Sequence, residues 1–129
     1  MTPGIALFSC ALLFLGVLAI WQWSLGRHAR ANIGKPAPQL PGPIGEAVQA
    51  DILLWFHSPH CGPCQSMRPK IAELVDRELA IEVDITRNLE IAQAFGVMAT
   101  PTTILIREGR IQQVSTGSLS PGALDALTR

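Results

Sequence analysis

The chain has 129 residues, which is enough for one small domain, and its ten basic residues balance its ten acidic ones. Two of the basic residues, Arg27 and Arg30, precede Asn32, so the remainder carries eight basic and ten acidic residues and is mildly acidic. No stripe of basic residues runs along the sequence, which excludes the charge pattern typical of nucleic-acid-binding proteins. We therefore expect no nucleic-acid partner.

Residues 1–31 predict a membrane anchor with a basic flank. No charged side chain occurs from Met1 to Gly26, and residues 5–25 are almost entirely apolar. A helix of about 20 apolar residues spans the hydrocarbon layer of a bilayer. Trp21 and Trp23 lie at the end of this stretch, where aromatic side chains favour the membrane interface. We expect residues 5–25 to cross the lipid bilayer once.

A cleaved signal peptide is the alternative interpretation of this stretch. Ala29-Arg30-Ala31 fits the pattern of small residues that precedes a cleavage site. However, no lysine or arginine precedes the apolar run, the run is long, and the residues around the cleavage pattern are basic. These features favour an uncleaved single-pass anchor.

Residues 32–50 predict a proline-rich linker. Its four prolines are Pro36, Pro38, Pro41 and Pro43. Because proline is poorly tolerated inside a helix and restricts the residue before it, we expect no helix here beyond a single turn at Gly45 to Gln49. An extended spacer between anchor and domain is the simplest interpretation.

The remaining region, residues 51–129, begins with a strand, a helix and a second strand. Asp51–His57 is a short apolar run bounded by turn residues, which is typical of a buried strand. Cys61–Glu78 predicts an amphipathic helix that Pro69 should bend, and Ala80–Asp84 predicts the second strand. The apolar face of the helix comprises Met67, Ile71, Leu74 and Val75.

A short helix and a hairpin follow. Asn88 can cap a helix that runs to about Phe95, and Thr102–Ile106 is rich in the β-branched residues that favour strands. Glu108-Gly109 predicts a hairpin turn, after which Ile111–Thr116 pairs antiparallel with the strand before it.

The last predicted element is a helix capped by Ser120, with Pro121 at its first position. The order of elements is βαβ followed by ββα. The predicted fold class is therefore α/β, with a central four-stranded mixed sheet flanked by helices and one transmembrane helix before it.

The motif Cys61-Gly62-Pro63-Cys64 lies where the first predicted strand ends and the long helix begins. A thiol there faces the free N–H groups and the positive end of the helix dipole, which favour its thiolate. The thiolate is the nucleophile in disulfide exchange. We predict that Cys61, nearest the helix start, attacks a disulfide and that Cys64 then attacks Cys61.

Two other interpretations of the motif stay open: half of a zinc site, and a disulfide without exchange chemistry. A zinc site needs two more ligands, and the only other cysteine, Cys10, lies in the apolar segment. His57 and His60 are close in sequence, but His57 belongs to a strand face. We expect no metal and, without a glycine-rich dinucleotide motif, no organic cofactor.

Several segments in the same order resemble the thioredoxin family. Residues 55–69 resemble its active-site segment, including the Gly-Pro pair between the cysteines and a later helix proline. Residues 95–106 resemble its Gly-Val-x-x-x-Pro-Thr strand, residues 107–110 its hairpin turn, and Gly117 its late glycine. The resemblance covers about residues 50 to 128, and the usual first strand and helix of the family are missing or reduced.

The resemblance implies a protein-disulfide reductase that acts on disulfide-containing client proteins and takes electrons from an upstream thiol protein. An oxidant or isomerase of the same fold is one alternative, to which the threonine before Pro101 gives some support. A non-catalytic, membrane-anchored module for client binding or metal delivery is the other.

The resemblance also implies roles for residues around the cysteines. Gly62 leaves the approach to Cys61 open, and Pro63 restrains the turn while lacking an N–H that could stabilise the thiolate. The Thr100–Pro101 bond is expected to be cis and packed beside the cysteines, with the Thr100 backbone pairing with an extended client segment.

Three positions depart from the family pattern. Trp55 stands where the family has a buried aspartate, and Glu82 where it has a lysine on the next strand. Glu82 is either a proton relay for the second cysteine or a solvated strand residue. His60 replaces a tryptophan, and its imidazolium would either favour the thiolate of Cys61 or only shape the surface. We interpret His57 as a packing residue.

Two patterns disagree about the side of the membrane. Ile33–Pro38 resembles the corresponding segment of membrane-tethered thioredoxin-like proteins that serve cytochrome c maturation in the bacterial periplasm. In contrast, Arg27, Arg30 and Lys35 follow the span, and the positive-inside rule places them in the cytoplasm. We expect a single-pass protein of the cell membrane with its domain in the periplasm, although the charge pattern favours the cytoplasm.

Overall fold

The structure is a computed structural model that describes residues 3–129. Met1 and Thr2, the first residues of the predicted anchor, lie outside the described residues. The elements in chain order are α1 (Pro3–Arg30), α2 (Gly42–Ala47), β1 (Ile52–His57), α3 (Gly62–Asp76), β2 (Ala80–Asp84), α4 (Leu89–Ala94), β3 (Thr102–Arg107), β4 (Arg110–Thr116) and α5 (Pro121–Leu127).

The four strands form one mixed sheet in the order β2-β1-β3-β4. β1 runs parallel to β2 and antiparallel to β3, and β3 pairs antiparallel with β4. The predicted mixed sheet is confirmed. β1 and β2 are parallel, so their carboxyl ends lie at the same end of the sheet. β3 begins at that end, because it runs antiparallel to β1.

Helices cover both faces of the sheet, so every residue of β1 is buried. Leu53 and Trp55 pack with buried residues of α3 and α5 on one face. Leu54 and Phe56 point to the other face and pack with residues of α4 and with Val48. The alternation of side chains along a strand produces these two separate cores.

The long helix α3 has a narrower buried face than the sequence predicted. Met67, Ile71 and Leu74 are buried, but Val75 is 37 % exposed. Val75 lies at the edge of the apolar stripe, because Met67, Ile71 and Leu74, spaced by four and then three residues, already fill the contact with the sheet. Pro69 lies inside α3, which continues through it to Asp76.

The segment 32–50 differs from the predicted extended spacer. Residues Gly42–Ala47 form helix α2, where Pro43 is tolerated because the first helical turn needs no N–H partner. Gly34 N donates to Ile111 O over 2.7 Å, and Ala37 N donates to Gly109 O over 2.7 Å. The segment therefore pairs with the outer edge of β4, which would otherwise carry unpaired backbone groups.

The two predicted helix caps differ in their chemistry. Ser120 Oγ accepts a hydrogen bond from Ala123 N over 3.2 Å, which confirms it as the cap of α5. Asn88 stands at the cap position of α4, but its side chain makes no capping bond. Its Nδ2 instead donates to Asp84 O over 3.0 Å, because the end of β2 and the turn after it lie within its reach.

Helix α1 is long and apolar enough over Gly4–Ser24 to cross a membrane. Most of its large apolar side chains in this range are exposed rather than packed on the domain. The helix continues past the predicted span to Arg30, where the guanidinium of Arg27 lies 4.1 Å from the centroid of the Trp23 ring.

Candidate active site

Cys61 and Cys64 lie at the junction between β1 and α3, as predicted. Cys61 is the N-cap residue of α3, and its Sγ accepts a hydrogen bond from Cys64 N over 3.2 Å. The two cysteines form a disulfide, with their Cα atoms 5.3 Å apart. A sulfur at this position lies close to the partial positive charge of the helix N-terminus.

The two cysteines differ in accessibility. Cys61 is 7 % exposed, whereas Cys64 is fully buried in the cluster that contains Trp55 and Met67. Gly62 and Pro63 between them are exposed. A Cβ atom added at Gly62 would meet no heavy atom within 4 Å, so the approach over this turn is open.

The loop that precedes β3 lies beside the cysteine-bearing loop. The peptide bond between Thr100 and Pro101 is cis, as the resemblance implied. Ser58 links the two loops, because its hydroxyl lies 3.3 Å from Thr100 Oγ1 and its carbonyl accepts from Cys61 N over 3.3 Å. Sequence reasoning missed Ser58, and a hydroxyl residue at a strand end was the only available signal.

Two aromatic residues of β1 lie on the face of the sheet that α3 covers. The rings of Trp55 and His57 stack with their centroids 4.5 Å apart and an interplanar angle of 20°. Trp55 belongs to the same buried cluster as both cysteines. Arg68 of α3 extends over the Trp55 ring, with 5.6 Å from its guanidinium carbon to the ring centroid.

This stack contains unsatisfied polar atoms. Trp55 Nε1 and His57 Nδ1 are buried without a hydrogen-bond partner within residues 3–129. Burial lowers the pKa of His57 from its ordinary value of 6.5, and the charge of Arg68 lowers it further. The carboxylates of Glu82 and Asp84 act in the opposite direction.

Glu82 pairs in register with Trp55, so the two side chains lie on the same face. β2 is an edge strand, and Glu82 is exposed. Asp84, opposite His57, accepts hydrogen bonds from the hydroxyl and backbone N–H of Thr86, which lower its pKa. Of the two interpretations of Glu82, this placement fits the solvated strand residue.

His60 is exposed next to Cys61 and is not part of the buried cluster. Cys10 is an exposed free cysteine of α1. Within the described part of the chain, no three His, Cys, Asp or Glu side chains come together as a metal site would require. The arrangement of the two cysteines is that of a redox-active pair at a helix start.

Comparison with known proteins agrees with this geometry. The sequence model of the Thioredoxin family matches residues 45–128, from within α2 to the end of α5. Thioredoxin of Bacillus subtilis is 32 % identical over 87 residues, which cover 64 % of this chain and 83 % of that protein. Thioredoxin of Haemophilus influenzae is 40 % identical over 73 residues, which cover 53 % of this chain and 67 % of that protein.

Solved thioredoxin structures are similar to the same region. Oxidised mitochondrial thioredoxin 3 from Saccharomyces cerevisiae superposes with a TM-score of 0.55 at 25 % identity, covering 64 % of this chain and 81 % of that one. A mutant thioredoxin from Halobacterium salinarum superposes with a TM-score of 0.58 at 26 % identity, covering 69 % and 84 %. The chain therefore belongs to the thioredoxin family and carries the Cys-x-x-Cys pair of a thiol–disulfide oxidoreductase.

Proposed function

We propose that the chain is a membrane-tethered protein-disulfide reductase. Residues 1–31 form the anchor, residues 32–50 connect it to the domain, and residues 51–129 form the catalytic domain. The observation that carries the proposal is the asymmetry of the pair: Cys61 caps α3 and keeps 7 % of its surface exposed, while Cys64 is fully buried. One sulfur is placed to meet a client, and the other is placed to release it.

In the reduced protein, the N-terminus of α3 stabilises the thiolate of Cys61. This thiolate attacks one sulfur of the client disulfide, and the other client sulfur leaves as a thiolate. The product is a mixed disulfide between Cys61 and the client. Gly62 permits this approach because the space beside it is open.

Thr100 and Pro101 position the client. Thr100 precedes β3 and is joined to the cysteine-bearing loop through Ser58. Its backbone pairs with an extended client segment, which holds the client disulfide over Cys61. His60 is exposed next to Cys61, where it shapes the surface that the client meets.

Cys64 completes the reaction by attacking the Sγ atom of Cys61. The bond between Cys61 and the client breaks, the client leaves as a thiolate that takes up a proton, and the Cys61–Cys64 disulfide forms. Disulfide-containing substrates and reductant partners are general features of the family. An upstream thiol protein then returns two electrons to the pair.

Pro63 supports the reducing direction, because it has no N–H that could stabilise the reduced Cys61 thiolate. The reduction potential of the full chain in detergent tests this direction. A value near thioredoxin's, about −270 mV, supports a reductase, whereas a value near about −120 mV supports the oxidant or isomerase alternative.

Trapping of the mixed disulfide tests the assigned roles. The Cys64→Ser chain should accumulate a covalent adduct with disulfide-containing clients such as insulin, because it has no second thiol to release them. The Cys61→Ser chain should form no adduct and should not reduce insulin. Equal insulin reduction by Cys61→Ser and the unsubstituted chain would contradict the proposal.

We propose the periplasm as the side of the membrane on which the domain lies, on the strength of the segment Ile33–Pro38. Arg27, Arg30 and Lys35 are the opposing observation. A reporter fused after Arg129 that is active only on one side of the membrane tests the orientation. Activity on the cytoplasmic side would reverse the assignment.

A further inference from the structure

The buried position of Cys64 creates a chemical requirement. Its side chain is fully buried among apolar groups that include Trp55, Met67 and Ile71. An apolar environment favours the neutral thiol over the thiolate. Because only the thiolate attacks a disulfide, client release needs a base that removes the Cys64 proton inside this cluster.

The position that the thioredoxin pattern assigns to a buried carboxylate cannot supply this base, because it holds Trp55. Glu82, on the neighbouring strand, is exposed at the edge of the sheet. His57 is different, since it is only 9 % exposed and lies on the face that α3 covers. It is a buried titratable side chain that the proposed reaction has not yet used.

The imidazole of His57 is held against Trp55, which belongs to the cysteine cluster. Its ring stacks on Trp55 at 4.5 Å, and Trp55 packs in the cluster that contains Cys61 and Cys64. His57 Nδ1 is buried, and no residue of the described chain hydrogen bonds to it. An unpartnered imidazole nitrogen in this position is free to accept a proton.

Charged groups approach His57 from two elements. Burial lowers the pKa of His57 below 6.5, and the charge of Arg68, one turn after Cys64 on α3, lowers it further. Glu82 and Asp84 of β2 oppose this effect. On the β3 side, residues 98–101 carry no titratable side chain. At neutral pH the imidazole is therefore uncharged and able to act as a base.

We propose that neutral His57 accepts the Cys64 thiol proton during client release and that Trp55 positions the imidazole for this transfer. The proton moves from Cys64 Sγ to His57 Nδ1, and the Cys64 thiolate attacks Cys61 Sγ. The bond from Cys61 to the client sulfur breaks, and the client thiolate takes a proton from the imidazolium or from water. This inference rests on the reductase function proposed above.

An aromatic disulfide reagent separates the two chemical steps. Reduced full chain in detergent, with Cys10→Ala to remove the free thiol of α1, reacts with 5,5′-dithiobis(2-nitrobenzoate). Attack by Cys61 releases one coloured thiolate, and attack by Cys64 on the mixed disulfide releases the second. Stopped-flow absorbance at pH 5–9 gives both rates.

His57→Phe keeps a ring that can stack on Trp55 but cannot accept a proton. We expect the second release to slow by about 100-fold at pH 7, within the usual contribution of general base catalysis. The first release should be unchanged. The matched control is Glu90→Gln, which removes an exposed titratable group of α4 on the other face of the sheet and should leave the second release unchanged. An unchanged second release in His57→Phe would overturn the inference.

A measurement on the chain with all three of its histidines does not depend on the folding of a histidine variant. The rate of the second release should rise with pH along the titration of His57, followed by NMR in the reduced chain. A rate that keeps climbing through pH 8–9, where His57 is already neutral, would overturn the inference and leave the reductase function intact. If instead Cys61 attacks no faster than free cysteine, the proposed function fails and this inference fails with it.

Discussion

At the residue scale, Trp55 and Glu82 show how the residue at one strand position affects the role that its cross-strand neighbour can have. The indole of Trp55 fills the core position below the cysteines, and cross-strand Glu82 faces solvent at the sheet edge. A carboxylate in water is a weak candidate for moving protons inside an apolar cluster. The likeness to thioredoxin therefore locates the cysteines but not the base.

Replacement of Glu82 tests this conclusion. We expect Glu82→Gln to keep insulin reduction at pH 7 within about twofold of the unsubstituted chain, because exposed charges interact weakly with their surroundings. The turnover of insulin under saturating upstream reductant is the measurement. A tenfold loss would assign Glu82 to the proton relay instead.

Asp51 carries a second residue-scale prediction, one that concerns pH. Its carboxylate accepts hydrogen bonds from Glu108 N over 2.9 Å and from Arg107 Nη1 over 3.1 Å. The backbone bond from Glu108, followed by the bond from Arg107, lowers the pKa of Asp51 below 3.8. The contact therefore stabilises the fold above pH 3.8 and is lost as the pH falls through the lowered pKa.

We expect Asp51→Asn to lower the melting temperature slightly at pH 7, because the hairpin loses a charge-assisted contact with the start of β1. The difference from the unsubstituted chain should shrink as the pH falls below 3.8. Thermal unfolding followed by circular dichroism at pH 7 and at acidic pH measures both effects. A difference that grows in acid would contradict the assigned contact.

At the element scale, α3 joins the chemistry to the core. Its first turn carries the cysteines, and its buried stripe holds that turn against the sheet through Met67, Ile71 and Leu74. The position of Cys61 relative to the loop at Pro101 therefore depends on packing two to three turns away. Stability of the helix and geometry of the active site are coupled through this stripe.

Truncation along α3 distinguishes its buried and exposed positions. We expect Ile71→Ala to lower the free energy of unfolding by about 2–5 kcal/mol, because it leaves a cavity in a fully buried site. Val75→Ala, one turn later, is the matched control and should cost less than about 1 kcal/mol, since Val75 is 37 % exposed. Denaturant unfolding of the full chains in detergent gives both values. Equal losses of unfolding free energy in the two variants would indicate that Val75 belongs to the core.

At the scale of the whole molecule, the candidate membrane helix joins the domain with almost no free spacer. Helix α1 ends at Arg30, and Gly34 already pairs with Ile111 of β4. Asn32 Nδ2 also donates to Phe95 O over 3.3 Å. In the membrane-tethered reductase proposed above, this attachment would keep the domain next to the end of α1, and clients would reach it at the membrane surface.

A charge within α1 tests the anchor. Phe14 is an exposed residue near the centre of the apolar range Gly4–Ser24. We expect Phe14→Arg to lower the share of the chain that remains in membranes after alkaline carbonate extraction, since a central charge costs about 2.5–3.5 kcal/mol on insertion. Gln22→Arg, near the end of the helix, is the control and should remain in the membrane. Equal extraction of both variants would argue against a spanning helix.

Local chemistry was sufficient to predict the order of strands and helices and the location of the cysteine pair. Apolar periodicity, turn residues and the prolines at helix starts act over a few residues, so Ala80–Asp84 and the cap at Ser120 were correct without any knowledge of the tertiary fold. The same local signals failed at residues 32–50, where pairing with a distant strand decides the conformation.

Only the tertiary structure decided which polar groups are isolated from water. No pattern in the sequence shows that His57 is buried on Trp55 with an unpartnered nitrogen, or that Glu82 is solvated. Burial of these groups depends on contacts with α3 and β2, which are separate segments of the chain. The residues that form the reactive pair follow from the sequence, whereas their proton chemistry depends on what the fold packs around them.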